Sequence, residues 1–413
     1  MKNDWKSTFA IIWSGQFFSI LSSAVVGYAV VFWLSLETGS AEILATAAIA
    51  SLLPQSLLGF FVGVYIDRWD RKRTMILADC FIALCTLLLA ISFWTDHIVL
   101  WEIYLLLVCR SVGSAFHMPA MQASVPLLAP ESQLTRIAGI DQMIESVSSI
   151  AGPALGALLL AWTGMGTILL LDVAGAAIAC ITLLFVRIPN PQRAPGVRPH
   201  LLREMREGLQ AIRTVKGLGW LFLLAVSATF FIMPVGVMFP LMTLSHFGGD
   251  AMDMSIVEML WGGGALAGGA IMGLRRYRIN QVLLINAMYG LLGVCFIASG
   301  LLSPQGFVFF AILSAIEGIA GSVYRAAFVA VVQTVIDPSL LGRVLSLYFS
   351  LNLLPSVLGL LGTGFLAGSV GISRSFVISG ALVCTIGVLS FLLPSLSRLG
   401  RKVAAAANSD PSA

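Results

Sequence analysis

Long apolar runs alternate with short polar segments along the chain of 413 residues. Apolar runs of about 18 or more residues are typical of helices that cross a lipid bilayer. Twelve such runs can be traced, at positions 8–36, 41–66, 74–94, 98–120, 136–162, 166–187, 218–246, 253–274, 279–302, 305–332, 342–369 and 372–395. The pattern therefore predicts twelve transmembrane helices.

The polarity within the runs argues against a transmembrane β-barrel, whose strands have about ten residues of alternating polarity. A helix satisfies its own backbone hydrogen bonds, which lipid cannot do for it. Composition agrees, because only 11% of the residues are charged, against about a quarter in soluble proteins. We expect an all-α polytopic membrane protein.

Lysine and arginine residues concentrate in alternate loops. If both termini are cytoplasmic, 21 of the 24 basic residues lie on the cytoplasmic side, where such residues are normally enriched. Arg374 lies in an outer loop, and Arg110 and Arg325 fall inside apolar runs. We therefore expect both termini in the cytoplasm. The net charge of +4 reflects this topology and does not indicate a nucleic-acid partner.

The longest polar stretch lies between the sixth and seventh runs. It begins with a proline-rich part and continues as an amphipathic helix, which either lies on the anionic inner leaflet or binds a partner. The apolar face of that helix comprises Leu201, Met205, Leu209 and Ile212. The predicted divisions are an N-terminal six-helix bundle (1–187), a cytoplasmic linker (188–217), a C-terminal six-helix bundle (218–396) and a cytoplasmic tail (397–413).

The two halves of the chain resemble each other. Residues 113–130 align with residues 321–338 at a constant offset of 208, with matching Gly, Ser, aromatic and Pro positions. Parallel repeats of this kind are an architecture of membrane transporters. We expect the two six-helix bundles to be pseudo-symmetric.

The segment GVYIDRWDRKR, residues 63–73, carries six charges between two apolar runs. It resembles the signature loop of the major facilitator superfamily, in which Gly is followed by Asp-Arg and a basic cluster. The matching residues are Gly63, Asp67, Arg68, Arg71 and Lys72. Asp70 departs from the usual Gly, but Asp-Arg-x-Asp-Arg-Lys is similar to the macrolide-efflux branch of drug exporters. The resemblance implies the superfamily fold and a multi-pass protein of the bacterial plasma (inner) membrane.

The resemblance also implies that this loop is a conformational latch. Asp67, at the end of the second run, would interact with helix dipoles and basic residues and so hold one facing state. The alternative is a topology anchor of positive charge. An anchor does not need an acid, so the embedded Asp67 favours the latch.

Two further segments support the resemblance. Arg110 and the Ser-Val-Gly that follows it resemble the buried arginine of the superfamily's fourth helix. AGPALGA in the fifth run resembles the Gly-Pro motif of exporters, with Gly152, Pro153 and Gly156 as a potential hinge. An exporter is therefore favoured over an importer.

Charged residues inside apolar runs are candidates for coupling, since charge at the bilayer centre costs about 2.5–3.5 kcal/mol per residue. Burial disfavours the charged form of a carboxylate, so small changes of access can load or unload a proton. We expect Glu317 to carry the proton, with Glu145 next. The alternative for Glu317 is a fixed ion pair with Arg325 or Arg110. The expected coupling set is Glu317, Glu145, Asp141 and Arg110.

Four charged groups are expected to be structural or to orient others. Asp141 lies near Arg136, which favours a structural function. Arg110 is expected to orient a buried carboxylate. Asp79 and Asp172 lie in the third and sixth runs, which the superfamily places at the periphery, so we expect interfacial or packing functions for both.

The superfamily fold implies a substrate cavity lined by the first, fourth, seventh and tenth helices. Its expected residues are Gln16, Ser23, Ser114, His117, Phe231, Met238 and Arg325. Phenylalanine and methionine offer an adaptable apolar surface. Ordinary helix packing is the alternative for each of them, and His117 alone is more often a buried structural imidazole than a proton relay.

The sequence lacks the phosphate-binding loop of an ATPase, and its six cysteines lack metal or redox spacing. We expect no cofactor, no metal and no enzyme activity. The prediction is a monomeric exporter of a small amphiphilic drug, macrolide-like by resemblance, driven by proton antiport across the bilayer and working by alternating access. The alternatives are export of a siderophore or lipid metabolite and, more remotely, a non-transporting sensor.

Overall fold

The computed structural model describes residues 5–66, 69–128, 134–188, 201–274 and 280–409. Within these ranges the regular structure is helical, and no strand is formed. The helices are α1 (Trp5–Thr38), α2 (Ala41–Ile66), α3 (Arg71–Trp94), α4 (Leu100–Leu128), α5 (Leu134–Trp162), α6 (Met165–Leu184), α7 (Leu201–Thr214), α8 (Leu218–Leu241), α9 (Ala251–Leu274), α10 (Gln281–Leu301), α11 (Phe307–Val335), α12 (Pro338–Val370), α13 (Ile372–Leu392) and α14 (Pro394–Ser409). A π-helical turn, Met242–His246, continues α8.

Helices α1–α6 and α8–α13 correspond to the twelve predicted apolar runs. In the described part of the chain, eleven helices are long and apolar enough to cross a membrane. The remaining helix, α12, corresponds to the eleventh predicted run, and its apolar part, Pro355–Val370, is shorter than the others. The prediction of an all-α, multi-pass membrane protein is confirmed.

Polar side chains fix the start of two of these helices. The backbone N–H of Arg73 donates to Asp70 Oδ1 at 2.9 Å, which caps α3. Asn280 caps α10 by accepting from the N–H groups of Val282 and Leu283 at 3.0 and 3.1 Å. Such caps satisfy donors that have no partner within the helix. Asp70, the residue that departs from the loop motif, therefore has a local structural function.

The chain forms two compact units. The first comprises Met1–Thr38 and Thr46–Pro199, and the second comprises Gly39–Ala45 and His200–Ala413. In the first unit α1 packs against α5 and α6, and α3 packs against α4 and α6. The polar residues that α1, α3, α4 and α6 direct at one another are therefore enclosed by helices of this unit.

In the second unit the most closely packed helices meet at glycines. α9 packs on α11, where a Cβ atom on Gly268 would lie 2.6 Å from a backbone oxygen of α11. α10 packs on α13, where a Cβ atom on Gly293 would lie 2.6 Å from the Gly380 oxygen. Small residues allow membrane helices to approach this closely. This packing encloses Glu317, which precedes the α11 contact residue Gly318.

The linker helix and the tail helix both pack on the second unit. α7 lies against α12 and α8. Of its predicted apolar face, Ile212 is buried and Leu209 is exposed, while the side chains of Leu201 and Met205 lie outside the described residues. α14 lies against α8, α10, α11 and α13 and buries Leu396, Leu399 and Val403.

Candidate functional site

Arg110 of α4 and Asp172 of α6 form an ion pair inside the first unit. Two further groups donate to the same carboxylate: Ser23 of α1 at 2.6 Å and Thr86 of α3 at 3.1 Å. A buried ion pair needs additional hydrogen bonds of this kind to offset the loss of hydration. Asp172 is therefore the carboxylate that Arg110 contacts, and the network joins α1, α3, α4 and α6.

A second acid–base pair joins α3 and α4. His117 Nε2 lies 3.4 Å from Asp79 Oδ1, and the two side chains are 10% and 6% exposed. Within the described residues, Asp79 Oδ2 and His117 Nε2 have no hydrogen-bond partner. The same holds for both amide atoms of Gln16 on α1, a residue that is 0% exposed. The first unit thus contains several buried polar atoms with unused hydrogen-bonding capacity.

Glu317 lies in the middle of α11, 1% exposed, and neither carboxyl oxygen makes a regular hydrogen bond with a described residue. Its polar neighbours are Ser299 and Cys295 of α10. Arg325 is exposed, and its Nε donates to the Gly321 oxygen at 3.4 Å. In the described part of the chain, Glu317 forms no ion pair.

The two acids of α5 have different surroundings although their spacing places them on one face. The indole Nε1 of Trp13 donates to Asp141 Oδ1 at 2.5 Å, which links α5 to α1. Glu145 is exposed. The structure therefore brings Asp141 into a contact between helices and leaves Glu145 on the surface of the unit.

The basic residues of the candidate latch contact helix ends within the first unit. Arg71 Nη1 donates to the Ala123 oxygen at 2.7 Å, near the end of α4. Lys72 Nζ donates to the Val186 oxygen at 2.8 Å, just after α6. Cations are stabilised at the C-terminal ends of helices, so both contacts hold α3 to its neighbours. Of the other latch residues, Gly63 lies in α2, and Asp67 and Arg68 lie outside the described residues.

The Gly-Pro motif of α5 faces α1. A Cβ atom on Gly152 would lie 3.1 Å from the Ala24 Cβ atom, and one on Gly156 would lie 3.1 Å from the Val25 oxygen. Pro153 is buried inside α5. The two glycines allow the backbones of α5 and α1 to approach closely.

The remaining cavity candidates lie in three helices. Ser114 of α4 and Phe231 of α8 are half-buried, and Phe231 packs edge to face with Phe230 at 4.9 Å. Met238 of α8 is fully buried, as is Gln16. The structure therefore brings Ser23 together with Arg110, and His117 together with Asp79, while Gln16 and Met238 are enclosed within their own units.

The structure brings cysteines together that are far apart in sequence. The sulfur atoms of Cys80 and Cys180 lie 3.9 Å apart, between α3 and α6. Cys85 and Cys109 are neighbours between α3 and α4. In the described ranges, no three or more His, Cys, Asp or Glu side chains form a group that could hold a metal ion.

A family model identifies the protein family to which this chain belongs. A model described as Major Facilitator Superfamily matches residues 12–309, which is more than half of the chain. The chain belongs to the major facilitator superfamily. The resemblance of the residue 63–73 loop to that superfamily is confirmed.

Relatives of this superfamily member extend over nearly its whole length. It is 37% identical over 401 residues to "Macrolide efflux protein A" of Streptococcus pyogenes, covering 97% of this chain and 99% of that protein. The protein of the same name from Enterococcus faecalis is 39% identical over 323 residues, 78% of this chain and 100% of that protein. The expected similarity to the macrolide-efflux branch is confirmed.

The fold of the major facilitator superfamily is also found among solved structures. A bacterial homolog of the human lysosomal transporter Spinster matches with a TM-score of 0.67 at 15% identity, covering 99% of this chain and 98% of that one. The identity is too low to carry more than the fold. The chain is thus a multi-pass membrane protein with the fold of known transporters.

The sequence predicted only interfacial or packing functions for two acids that face basic side chains in this superfamily member. Asp172 pairs with Arg110, and Asp79 faces His117. The spacing of seven residues between Asp79 and Thr86, and between Arg110 and His117, was a usable signal. Seven residues are close to two helical turns, so each pair shares one helix face.

Proposed function

We propose that this chain is a secondary active exporter of small amphiphilic drugs of the macrolide type, driven by proton antiport and working by alternating access. The similarity to "Macrolide efflux protein A" over 97% of this chain and 99% of that protein carries the proposal. A match over nearly the full length covers both units and not only one of them. Since the chain lacks a nucleotide-binding loop, an ion gradient is the energy source that fits.

Glu317 is the proposed proton carrier. Its burial and the absence of a basic partner among the described residues support this assignment. A carboxyl group that is isolated from water and cations is held in its neutral form, and it releases its proton when water or a cation reaches it. A conformational change that opens α11 to water would therefore couple transport to proton movement.

The proposed setting is the bacterial plasma (inner) membrane, with a monomeric chain and both termini in the cytoplasm. The distribution of basic residues supports this orientation, since 21 of 24 fall on one side of the predicted topology. The Gly-Pro motif of α5 supports export over import.

Everted membrane vesicles test the function and the carrier together. Vesicles with an acidic lumen and a pH-sensitive dye are given a 14-membered macrolide, then a lincosamide, a cationic dye and a siderophore. We expect the macrolide to release luminal protons in wild type. In Glu317→Gln this release is lost, because an amide cannot carry a proton. Glu37→Gln, the same chemical change at an exposed residue of α1, serves as the matched control and should behave as wild type.

Two other results would change the proposal. Proton release that survives Glu317→Gln but is lost in Glu145→Gln or Asp141→Asn would move the carrier to α5. A wild-type protein that binds macrolide after purification but never disturbs the gradient would contradict proton antiport.

A further inference from the structure

The first unit contains two polar layers spaced about two helical turns apart. One layer consists of Ser23, Thr86, Arg110 and Asp172. Three helices carry a second polar residue seven positions away: Gln16 on α1, Asp79 on α3 and His117 on α4. Seven residues correspond to about 10.5 Å along a helix and return to nearly the same face.

The three displacements point toward the same end of the unit. On α1, a Cβ atom on Gly15 would meet Thr182 near the end of α6, and Lys72 at the start of α3 contacts the same end of α6. α3 begins where α4 ends, because Arg71 at the start of α3 contacts Ala123 near the end of α4. Asp79 lies closer to the start of α3 than Thr86, and His117 lies closer to the end of α4 than Arg110. The distance of 3.4 Å between His117 Nε2 and Asp79 Oδ1 places these two residues at one level.

The two layers differ in how well their polar groups are paired. In the first layer the Asp172 carboxylate has a cation and two hydroxyl donors. In the second layer, one oxygen of Asp79, the Nε2 atom of His117 and both amide atoms of Gln16 have no hydrogen-bond partner among the described residues. Buried polar groups in native proteins are normally hydrogen-bonded, so each of these atoms needs an explanation.

The described charged groups around the second layer have partners elsewhere. Arg110, two turns away on α4, is already paired with Asp172. Arg71, about two turns away on α3, donates to a carbonyl oxygen of α4. On α6 the neighbour of Asp79 is the thiol Cys180, which lies beside Cys80 of α3. On α5, Asp141 accepts from Trp13 of α1. Among the described side chains, the pair of Asp79 and His117 therefore has no fixed cation of its own.

We propose that Asp79 and His117 form a second proton-binding site, which binds and releases one proton in each transport cycle. The pair carries no net charge when it holds a single ionisable proton, as carboxylate with imidazolium or as two neutral groups. Losing that proton leaves a lone buried carboxylate, which is costly without water. The proton is therefore retained while the site is enclosed and released when the unit opens the site to water.

This inference deepens the proposed function and rests on it for the transport cycle, but the titration itself can be measured without transport. The chain has four histidines, so the ¹⁵N-labelled imidazoles of the purified full chain give few signals, and His117→Gln assigns one of them. If the pair holds a proton, the His117 signal should change with pH. In Asp79→Asn this response to pH should differ from that of wild type, because the facing carboxylate is removed. A His117 signal that does not respond to pH, or whose response is the same in Asp79→Asn, overturns the proposal.

Transport then tests whether this proton takes part in the cycle. In everted vesicles, His117→Gln should keep macrolide entry down a macrolide gradient but move fewer protons per macrolide than wild type. His97→Gln, at an exposed residue between α3 and α4, should leave the proton-to-macrolide ratio unchanged. An unchanged ratio in His117→Gln overturns the proposed role in the cycle.

The two proposals can fail separately. If macrolide moves no protons in wild type, the proposed antiport fails, while the imidazole titration still decides whether Asp79 and His117 bind a proton together. If Glu317→Gln abolishes proton movement and His117→Gln does not change it, the antiport stands and the second site fails.

Discussion

Glu317 and Asp172 are both buried acids in apolar helices, and they differ in their partners. Asp172 contacts Arg110 and two hydroxyl groups. Glu317 has Ser299 and Cys295 as polar neighbours and no basic residue among the described ones. A paired buried acid stabilises the fold only through its partners, whereas an unpaired one lowers the stability of the fold. Substitution therefore separates the two functions.

Replacing Glu317 by Leu should raise the free energy of unfolding of the purified protein by about 1–3 kcal/mol, because an unsatisfied buried polar group is removed. The same variant should lose proton-coupled transport. Thermal unfolding in detergent, followed by loss of helical signal, measures the first effect. A lower stability in Glu317→Leu would show that the carboxyl group has a structural partner.

The matched substitution in the first unit should have the opposite effect. Asp172→Leu leaves Arg110 buried without a counter-ion, and breaking a buried pair in this way costs about 3–5 kcal/mol. We expect a lower unfolding temperature and poor recovery from the membrane. Equal stability of Asp172→Leu and wild type would mean that the Arg110 pair contributes little to the fold.

At the scale of the helices, the contact between α5 and α1 depends on Gly156. A Cβ atom there would lie 3.1 Å from the Val25 oxygen and 3.3 Å from the Ala29 nitrogen, and backbone atoms cannot move aside like a flexible side chain. Gly156→Ala should therefore lower the unfolding temperature and reduce transport. Gly27→Ala on α1 is the control, because its added methyl group would lie more than 4 Å from the described residues outside its own stretch of helix.

The control is expected to be neutral or slightly stabilising, since alanine is favoured over glycine inside a helix by about 1 kcal/mol. The unfolding temperatures of the two variants, measured side by side, check this prediction. If Gly156→Ala is as stable as Gly27→Ala, close packing is not the reason for glycine at this position.

Most of the helices could be predicted from the sequence, because their length and polarity are set by the thickness of a bilayer. The apolar pattern placed α1–α6 and α8–α13, and the motif at 63–73 indicated the superfamily. Pairings across helices could not be predicted in this way. Periodicity indicates which face of α4 carries Arg110, but not that Asp172, 62 residues later, lies opposite.

Local chemistry was also hidden at some positions. In the sequence, Asp70 is only a departure from the loop motif. In the structure, Asp70 Oδ1 accepts a hydrogen bond from the Arg73 N–H and caps α3. Cys80 and Cys180 are 100 residues apart and gave no redox spacing, yet their sulfur atoms are 3.9 Å apart. In each case the sequence does not show which groups the fold brings into contact.

At the scale of the whole molecule, Cys80 and Cys180 both lie in the first unit, so a disulfide bond between them tests whether that unit moves as a rigid body. Mild oxidation by a copper–phenanthroline reagent should join Cys80 to Cys180 and bond α3 to α6. If transport proceeds by movements of whole units, the cross-linked protein should transport near its original rate. Mass spectrometry of the digested protein confirms the bond, and Cys180→Ser is the control that cannot form it. Inhibition that is reversed by a thiol reductant would show that α3 and α6 move against each other.

The two polar layers of the first unit also affect which sequence changes the protein can tolerate during evolution. One inserted or deleted residue turns the rest of an α-helix by about 100° and shifts it by about 1.5 Å. Between Arg110 and His117, such a change would keep one of the two residues at its partner and rotate the other away. Homologous sequences that preserve both layers should therefore vary by substitution in these segments of α1, α3 and α4, and their gaps should fall outside them.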